Sequence, residues 1–358
     1  GRPLQHLLGA LIGKIRRSMG LVLAIGLIFD LAHDLVGRAW PEFDQSPLLQ
    51  LVGMLILGTA FLLGSPALIR LSWPTRPRPD SPLRARLERA ARRHRFRFTD
   101  LLIWDTGGAV LNAGVTGVLP WYRYVLISDA MIELLDDRQI EAVFGHEIGH
   151  VAHGHLVYFG LFFLGSLGVV SLCCLGVDLW ALRPWILDDD NRIFYGQFVG
   201  LGVMALYYGL VFGALSRLFE RQADLYGCRM LSCGSLDCPP HRDLDALALD
   251  GSTPATATTT TAAAGSSKPP TAICPVGVRV FALALEQVAF LNGLDPDRWS
   301  WRHGSIAQRI RSLERFARTP TLDAVFQHRT RRLRQALAFG LLAASAAAWF
   351  SGAYLWLT

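Results

Sequence analysis

Four stretches of this chain are long and apolar enough to cross a lipid bilayer: Leu48 to Leu71, Leu156 to Trp180, Phe194 to Leu215 and Leu337 to Leu357. They limit the possible fold more than any other feature. A spanning helix needs about 20 apolar residues, and inside hydrocarbon every backbone polar group must pair within its own segment. A fifth stretch, Met19 to Val36, is interrupted by Asp30, His33 and Asp34. Charge at membrane depth costs about 2.5–3.5 kcal/mol per residue unless buried or snorkelled, so this is the weakest of the expected spans. A mean hydropathy of +0.31 with only 18% charged residues excludes an ordinary soluble globule. Residue 1 is Gly rather than Met, which is compatible with a start inside a longer reading frame.

The formal net charge is +6, and its distribution says more than its sum. Arginines crowd the segment from Arg70 to Arg97, whereas Glu42, Asp44 and the run Asp188 to Asp190 lie in loops on the opposite side of the expected spans. Basic flanks stay in the cytoplasm, which puts Arg70 to His155 and Arg217 to Arg334 on that side of a cell (inner or plasma) membrane. Beside a span, an arginine run reads as a topology signal and a partner for anionic lipid headgroups rather than as a nucleic-acid patch. Lysine occurs only at Lys14 and Lys268, and with abundant alanine this suggests a GC-rich, bacterial genome.

Cys173 and Cys174 fall within a span, and Cys228, Cys233, Cys238 and Cys274 on the cytoplasmic side, where disulfides are not expected. Cys228, Cys233 and Cys238 with His241 offer donors for a second metal, but without the close Cys-x-x-Cys pairs of common zinc modules.

The expected fold class is mainly α with a small antiparallel sheet, in a multi-pass membrane protein. Residues 1–73 form an N-terminal membrane region. Residues 74–155 hold a Pro-rich linker, an Arg-rich helix (about Leu83 to His94), the sheet and the helix that contains His146 to His150. The strands are Leu101 to Trp104, Ala109 to Asn112 and Tyr124 to Ile127, split by Gly107-Gly108 and by Gly117 to Pro120 as in a meander. Residues 156–215 make a two-span hairpin, 216–334 a second region outside the membrane, and 335–358 the last span. Helices are expected at Val278 to Leu291 and Ile306 to Phe316. Thr253 to Pro270, within an insertion at about 251–272, has almost no charge and no large apolar residue and reads as a disordered loop.

The chemistry centres on His146-Glu147-Ile148-Gly149-His150. Asp136 with Gln139 forms a capping-box pattern, and Ile140, Val143, Phe144, Ile148 and Val151 recur at helical spacing. On that helix His146 and His150 share a face and can bind one metal ion, with Glu147 beside them as a general base. A catalytic zinc keeps three protein ligands and an open position, so one ligand is wanting. A metzincin extension fails, because Leu156 stands where its third His would be. Glu220 fits best, since Asp224 lies one turn on and could accept the free ring N–H of a ligating histidine. Asp295, in Asn292-Gly293-Leu294-Asp295-Pro296, competes but reads better as the cap of the next helix. His153 shares the face of His146, yet it and His155 read as interface histidines near the helix end.

Around these residues the chain resembles the HtpX and CAAX prenyl protease family of integral-membrane zinc metallopeptidases, within the gluzincins. The likeness rests on Asn112-Ala113-Gly114-Val115-Thr116-Gly117, Val125-Leu126-Ile127-Ser128-Asp129, Ala142 to Val151, Glu220-Arg221-Gln222-Ala223-Asp224 and His303-Gly304-Ser305-Ile306-Ala307-Gln308-Arg309-Ile310. It implies a zincin-like catalytic domain made of residues 74–155 and 216–334, with one Zn2+ per chain held by His146, His150 and Glu220. It implies that Asn112, Ala113 and Gly114 lie on an edge strand that binds substrate backbone, and that His303 and Arg309 stabilise the oxyanion. Two positions depart from the family: Gly304 where a proline is usual, and Gly114 where an aromatic is frequent, the latter suggesting a permissive groove.

The expected activity is hydrolysis of peptide bonds in membrane or misfolded proteins at the cytosolic face, with Glu147 taking the proton of a metal-activated water. Partners are polypeptides and the bilayer, not nucleic acid. Alternatives are a CAAX-type processing protease, an intramembrane-cleaving protease using Asp295, and a catalytically silent scaffold.

Overall fold

The computed structural model describes residues 27–28, 30–32, 34–40, 47–180, 198, 200–233 and 273–352. The run Asp188 to Asp190, the tract Thr253 to Pro270, Cys238, His241 and most of the fifth apolar stretch lie outside the described residues. The chain divides into two compact units.

The first unit comprises Gly1–Pro79, Arg97–Ala109 and Val115–Asp129. It contains helix α1 (Pro47–Ser72) and strands β1 (Thr75–Pro77), β2 (Asp100–Trp104) and β4 (Tyr124–Ser128), with the second half of β3 (Ala113–Thr116). The sheet order is β1-β2-β4-β3. β1 runs antiparallel to β2, but β2 and β4 are parallel, from Asp100 opposite Tyr124 to Trp104 opposite Ser128. The sheet is therefore mixed, which corrects the antiparallel meander, and Ala109 to Asn112 is loop rather than strand. The glycines at 107 and 108 do make a turn, with φ of 66° and 75°. They do not close a hairpin, because Asp129, just past β4, accepts hydrogen bonds from Thr106 N (3.1 Å) and Gly108 N (3.0 Å). That anchor draws the chain after β2 toward the far end of β4, so β4 must return in the same direction. All five β4 residues are buried, as expected for a strand covered on both faces.

The loop before β4 is fixed from within. Buried Arg123 donates to the carbonyls of Gly117 (3.1 Å), Val118 (2.6 Å) and Arg97 (3.2 Å). Gly117 has φ +98°, and a Cβ there would sit 2.1 Å from Tyr122 O, so only glycine fits.

The second unit comprises Asp80–Phe96, Val110–Gly114 and Ala130–Thr358. Its helices are α2 (Pro82–Arg93), α3 (Asp129–Leu134, from its second residue), α4 (Asp137–Ala152), α5 (His155–Trp180), α6 (Gly213–Leu231), α7 (Pro275–Leu291), α8 (Ile306–Arg318) and α9 (Pro320–Phe350). The Arg-rich α2 is capped by Ser81 and buries Leu83, Leu87, Ala90 and Ala91 while its arginines face outward or pair, as Arg86 does with Glu141. A core of Ala142, Leu225, Cys228, Val278, Phe281 and Leu313 joins α4, α6, α7 and α8.

Among the described residues, three helical segments are long and apolar enough to cross a membrane: His155–Cys173, Gly200–Leu231 and Pro320–Phe350. In α1 the apolar run of described residues is shorter, Ile56–Ser72. The last segment begins well before the apolar stretch read from sequence, so α9 is one unbroken helix with a polar first half. α5 and α9 pack through small residues, since a Cβ on Gly168 would lie 2.6 Å from Ser345 Cα.

α4 and α6 also approach closely. A Cβ on Gly149 would meet Ala223 Cα at 2.9 Å, and one on Gly145 would meet Gly227 Cα at 3.0 Å. Gly149→Val should therefore destabilise the protein by about 1–3 kcal/mol through overpacking against backbone that cannot yield. Gly160→Ala, in open space on α5, should cost nothing; melting temperatures in detergent would test the pair.

His94 closes α2 beside Arg93 and Arg229, and burial followed by these charges depresses its pKa from 6.5 to about 4. Below pH 6.5 the unfolded chain protonates His94 before the folded chain does, so stability should fall as pH drops from 6.5 toward 4. His94→Gln should flatten that fall, read as melting temperature against pH.

Candidate metal centre and active site

α4 is set in register by its first turn. Asp136 Oδ1 accepts from Arg138 N and Gln139 N, both at 2.8 Å, and Gln139 Oε1 accepts from Asp136 N at 3.1 Å, completing the capping box. From that start His146 and His150 fall on the face turned to α6, where Glu220 and Asp224 are also one turn apart. His146 Nε2 and His150 Nε2 are 3.2 Å apart. Glu220 Oε2 lies 3.7 Å from the first and Oε1 3.7 Å from the second. A tetrahedral ion with bonds of about 2.0–2.1 Å spaces its ligand atoms about 3.3 Å apart, so this triangle fits one metal ion. It is the grouping able to hold a metal among the described residues. Two neutral imidazoles with one carboxylate suit a divalent cation that keeps an open position.

Behind the triangle stands a second layer of charge. His146 Nδ1 is 2.9 Å from Asp224 Oδ1, an ion-pair contact short of an aligned hydrogen bond. Asp224 is gripped by Arg309 of α8, with Nε to Oδ2 at 2.9 Å and Nη2 to Oδ1 at 2.5 Å. The same Nη2 lies 3.4 Å from Glu220 Oε2, and His303 Nδ1 lies 3.2 Å from Glu220 Oε1. Burial opposes charge on His146, but the contact with Asp224 and the charges of Asp224 and Glu220 outweigh it and raise its pKa. Burial, and then the charge of His146, lower His150 to about 3. Glu147 is raised to about 7, first by burial, with Glu220 adding repulsion and His146 opposing.

His146, Glu147, His150, Glu220, His303 and Arg309 all line one pocket of about 740 Å3. Its apolar wall comes from Met131, Val143, Phe281, Leu285 and Val288, and Asn112 and Ala113 form part of its rim. Gly114 follows on β3, the outermost strand in the sheet order, and is not in the lining. Leu111 O accepts from Asn292 Nδ2 at 3.2 Å, which fixes the approach to this strand.

Other candidates fare differently. Asp295 borders the pocket but is outside the metal grouping. It caps no helix, which corrects the expectation: its Oδ1 accepts from Asp297 N at 3.0 Å in a turn, and Ser305 caps α8. Cys228 and Cys274 are buried, and Cys274 caps α7. His153 ends α4 and stands outside the metal grouping, its Nε2 buried without a partner. Sequence reasoning missed His155, taken for an interface histidine. It is buried, and its Nδ1 is 2.9 Å from His150 Nδ1. The available signal was Gly154, whose φ of +66° breaks the helix and turns His155 back on His150.

The sequence profile of Peptidase family M48 matches residues 77–316, which include every residue from Asn112 to Arg309. A "Protease HtpX homolog" of Archaeoglobus fulgidus is 27% identical over 231 residues, 61% of this chain and 63% of that protein. Another, from Pyrobaculum calidifontis, is 31% identical over 122 residues, 33% and 34% of the two chains. "Protease HtpX" of Chromohalobacter salexigens is 28% identical over 132 residues, 35% and 44%. The chain thus spans less than two-thirds of the length of these relatives. The crystal structure of S. mikatae Ste24p shares the fold, with a TM-score of 0.55, 17% identity, and coverage of 86% of this chain and 67% of that one. Matched over more than half its length, the chain belongs to peptidase family M48, whose members are metalloproteases.

Proposed function

We propose that this protein is a membrane-embedded zinc metalloendopeptidase that cleaves membrane or misfolded proteins at the cytosolic face of a cell membrane. The observation that carries the reading is the triangle of His146, His150 and Glu220 in the wall of a pocket that also holds Glu147. Zinc bound there would supply Lewis acidity, polarising a carbonyl and acidifying water. Glu147, raised toward neutrality by burial, is suited to take a proton from the attacking water and return it to the leaving amine. His303, half exposed in the pocket, can donate to the oxygen on which negative charge develops. Arg309 has two donors committed to Asp224, so its role is to hold that carboxylate and to contribute field, not to touch the substrate. Asn112 and Ala113 at the pocket rim suit pairing with an extended substrate backbone, which Gly114 continues along β3. The apolar wall favours hydrophobic side chains, consistent with turnover of unfolded segments.

Purified protein should lose proteolysis of casein with a chelator and regain it with zinc. Glu147→Gln should lower kcat by about 10²–10⁴-fold while retaining one zinc per chain by elemental analysis; full activity in that variant would sink the mechanism. Glu220→Ala should lose the metal, whereas Asp295→Ala should keep it, and the reverse would favour an intramembrane-cleaving site. Trapping with Glu147→Gln in membranes separates turnover from processing: a broad mixture of captured proteins supports turnover, and a single defined peptide supports a processing enzyme.

A further inference from the structure

A chain of polar side chains, buried at His155, Gln222 and Asp323 and partly exposed at His150 and Gln327, runs from His150 to the first turns of α9. His150 Nδ1 is 2.9 Å from His155 Nδ1, and His155 Nε2 is 3.2 Å from Gln222 Oε1. Gln222 Nε2 donates to Gln327 Oε1 at 2.8 Å, and Gln327 Nε2 donates to Asp323 Oδ1 at 3.3 Å. Asp323 is itself paired with Arg229. His155 and Gln222 are 1% and 2% exposed, so water cannot substitute for a lost partner at their contact.

The direction of every bond follows from its last member. A carboxylate paired with arginine only accepts, so Gln327 must turn its amide nitrogen to Asp323 and its oxygen to Gln222. Gln222 must then give its nitrogen to Gln327 and its oxygen to His155. His155 must carry its proton on Nε2, and in the neutral ring Nδ1 is left as an acceptor. Two imidazole nitrogens in contact need one proton between them, so His150 carries it on Nδ1. The lone pair of His150 is thereby assigned to Nε2, the atom facing His146 and Glu220. A charged His155 would donate from both nitrogens and force the opposite tautomer. The ring plane is also fixed, because His155 stacks on Phe219 at 4.1 Å with an interplanar angle of 3°.

We infer that His155 is a positioning residue whose neutral ring, set by Gln222 and Gln327, holds His150 in the tautomer that offers Nε2 to the metal. The two histidine ligands are thus oriented by different chemistry, a carboxylate at His146 and a neutral imidazole at His150. Partners of this kind are worth about 10–100-fold in metal affinity. The inference rests on the metal site proposed above.

The test is zinc affinity of the full-length protein in detergent, by competition with a chromophoric chelator, beside the melting temperature of the metal-free form. His155→Leu should weaken zinc binding about 10–100-fold. His155→Asn, whose side-chain oxygen can accept from His150 Nδ1, should recover most of it. Gln327→Leu touches neither histidine and should weaken binding several-fold by freeing the amide of Gln222 to flip. Metal-free melting temperatures close to that of the unaltered protein are expected for Gln327→Leu and His155→Asn. Unchanged zinc affinity in either leucine variant, or no recovery in His155→Asn, overturns the inference. Failure of the unaltered protein to bind zinc would instead overturn the metal site itself.

Discussion

The site depends on how closely α4 and α6 can approach. Helices with ordinary side chains at the contact pack 8–10 Å apart, and small residues permit less. Here Gly145 and Gly149 of α4 lie against the backbone of Gly227 and Ala223 of α6, with Tyr226 and Met230 packed beside them. Two histidines on one helix and two acids on the other then reach each other, at 2.9–3.7 Å between ring nitrogens and carboxylate oxygens. The spacing of His146 and His150 would mean nothing if α6 stood one methyl group further away. Gly227 serves a second purpose, because Phe281 of α7 lies against it and closes the core beneath the pocket.

That proximity creates an electrostatic problem that the fold solves with charge pairs. Glu220 and Asp224 are buried one turn apart, and Glu147 faces the same space. Carboxylates so arranged repel and lose hydration, a combination that costs several kcal/mol per ion when unpaired. Arg309 answers for one of them with a bidentate grip on Asp224; burial lowers its pKa, but Asp224 and then Glu220 outweigh that and leave it raised. Glu220 keeps the weaker contacts, to His303 and the edge of Arg309, and so remains the carboxylate with most to gain from a cation. The network is consistent with a site built around a metal rather than stabilised by its ion pairs alone.

Much of this was legible in the residues because it depends on local periodicity. His146, Glu147 and His150 need only a helix, and Asp136 with Gln139 announces where that helix starts. Glu220 and Asp224 repeat the one-turn spacing on a second helix. The parallel pairing of β2 and β4 was not legible, since hairpin and crossover give the same apolar runs, and the deciding bond from Asp129 joins positions far apart in sequence. His155 was hidden for the same reason. Its role depends on Gln222 and Gln327, and nothing in a list of residues says that these three side chains meet. Asp295 misled because a helix cap and a turn use the same Asx chemistry.

A final constraint comes from the helix that carries Glu220. It runs from Gly200 to Leu231 and contains one turn of π-helix, Tyr208–Phe212, just before α6. A π turn inserts one residue into the α repeat, and each residue advances an α-helix by about 100°. Without the insertion, Glu220 and Asp224 would rotate away from α4 by about that angle, and the apolar face ahead of the turn would rotate with respect to its own neighbours. Phe212 and Leu215, on and just after the turn, pack with Phe162 of α5 and Leu341 of α9. The membrane-length helices thus satisfy one packing direction and the metal site another, and the π turn reconciles them. Such a turn is less stable than a regular one and persists only where the packing on both sides requires it. The two requirements are those of a helix that must leave an apolar bundle and present its next acidic pair to a pair of histidines.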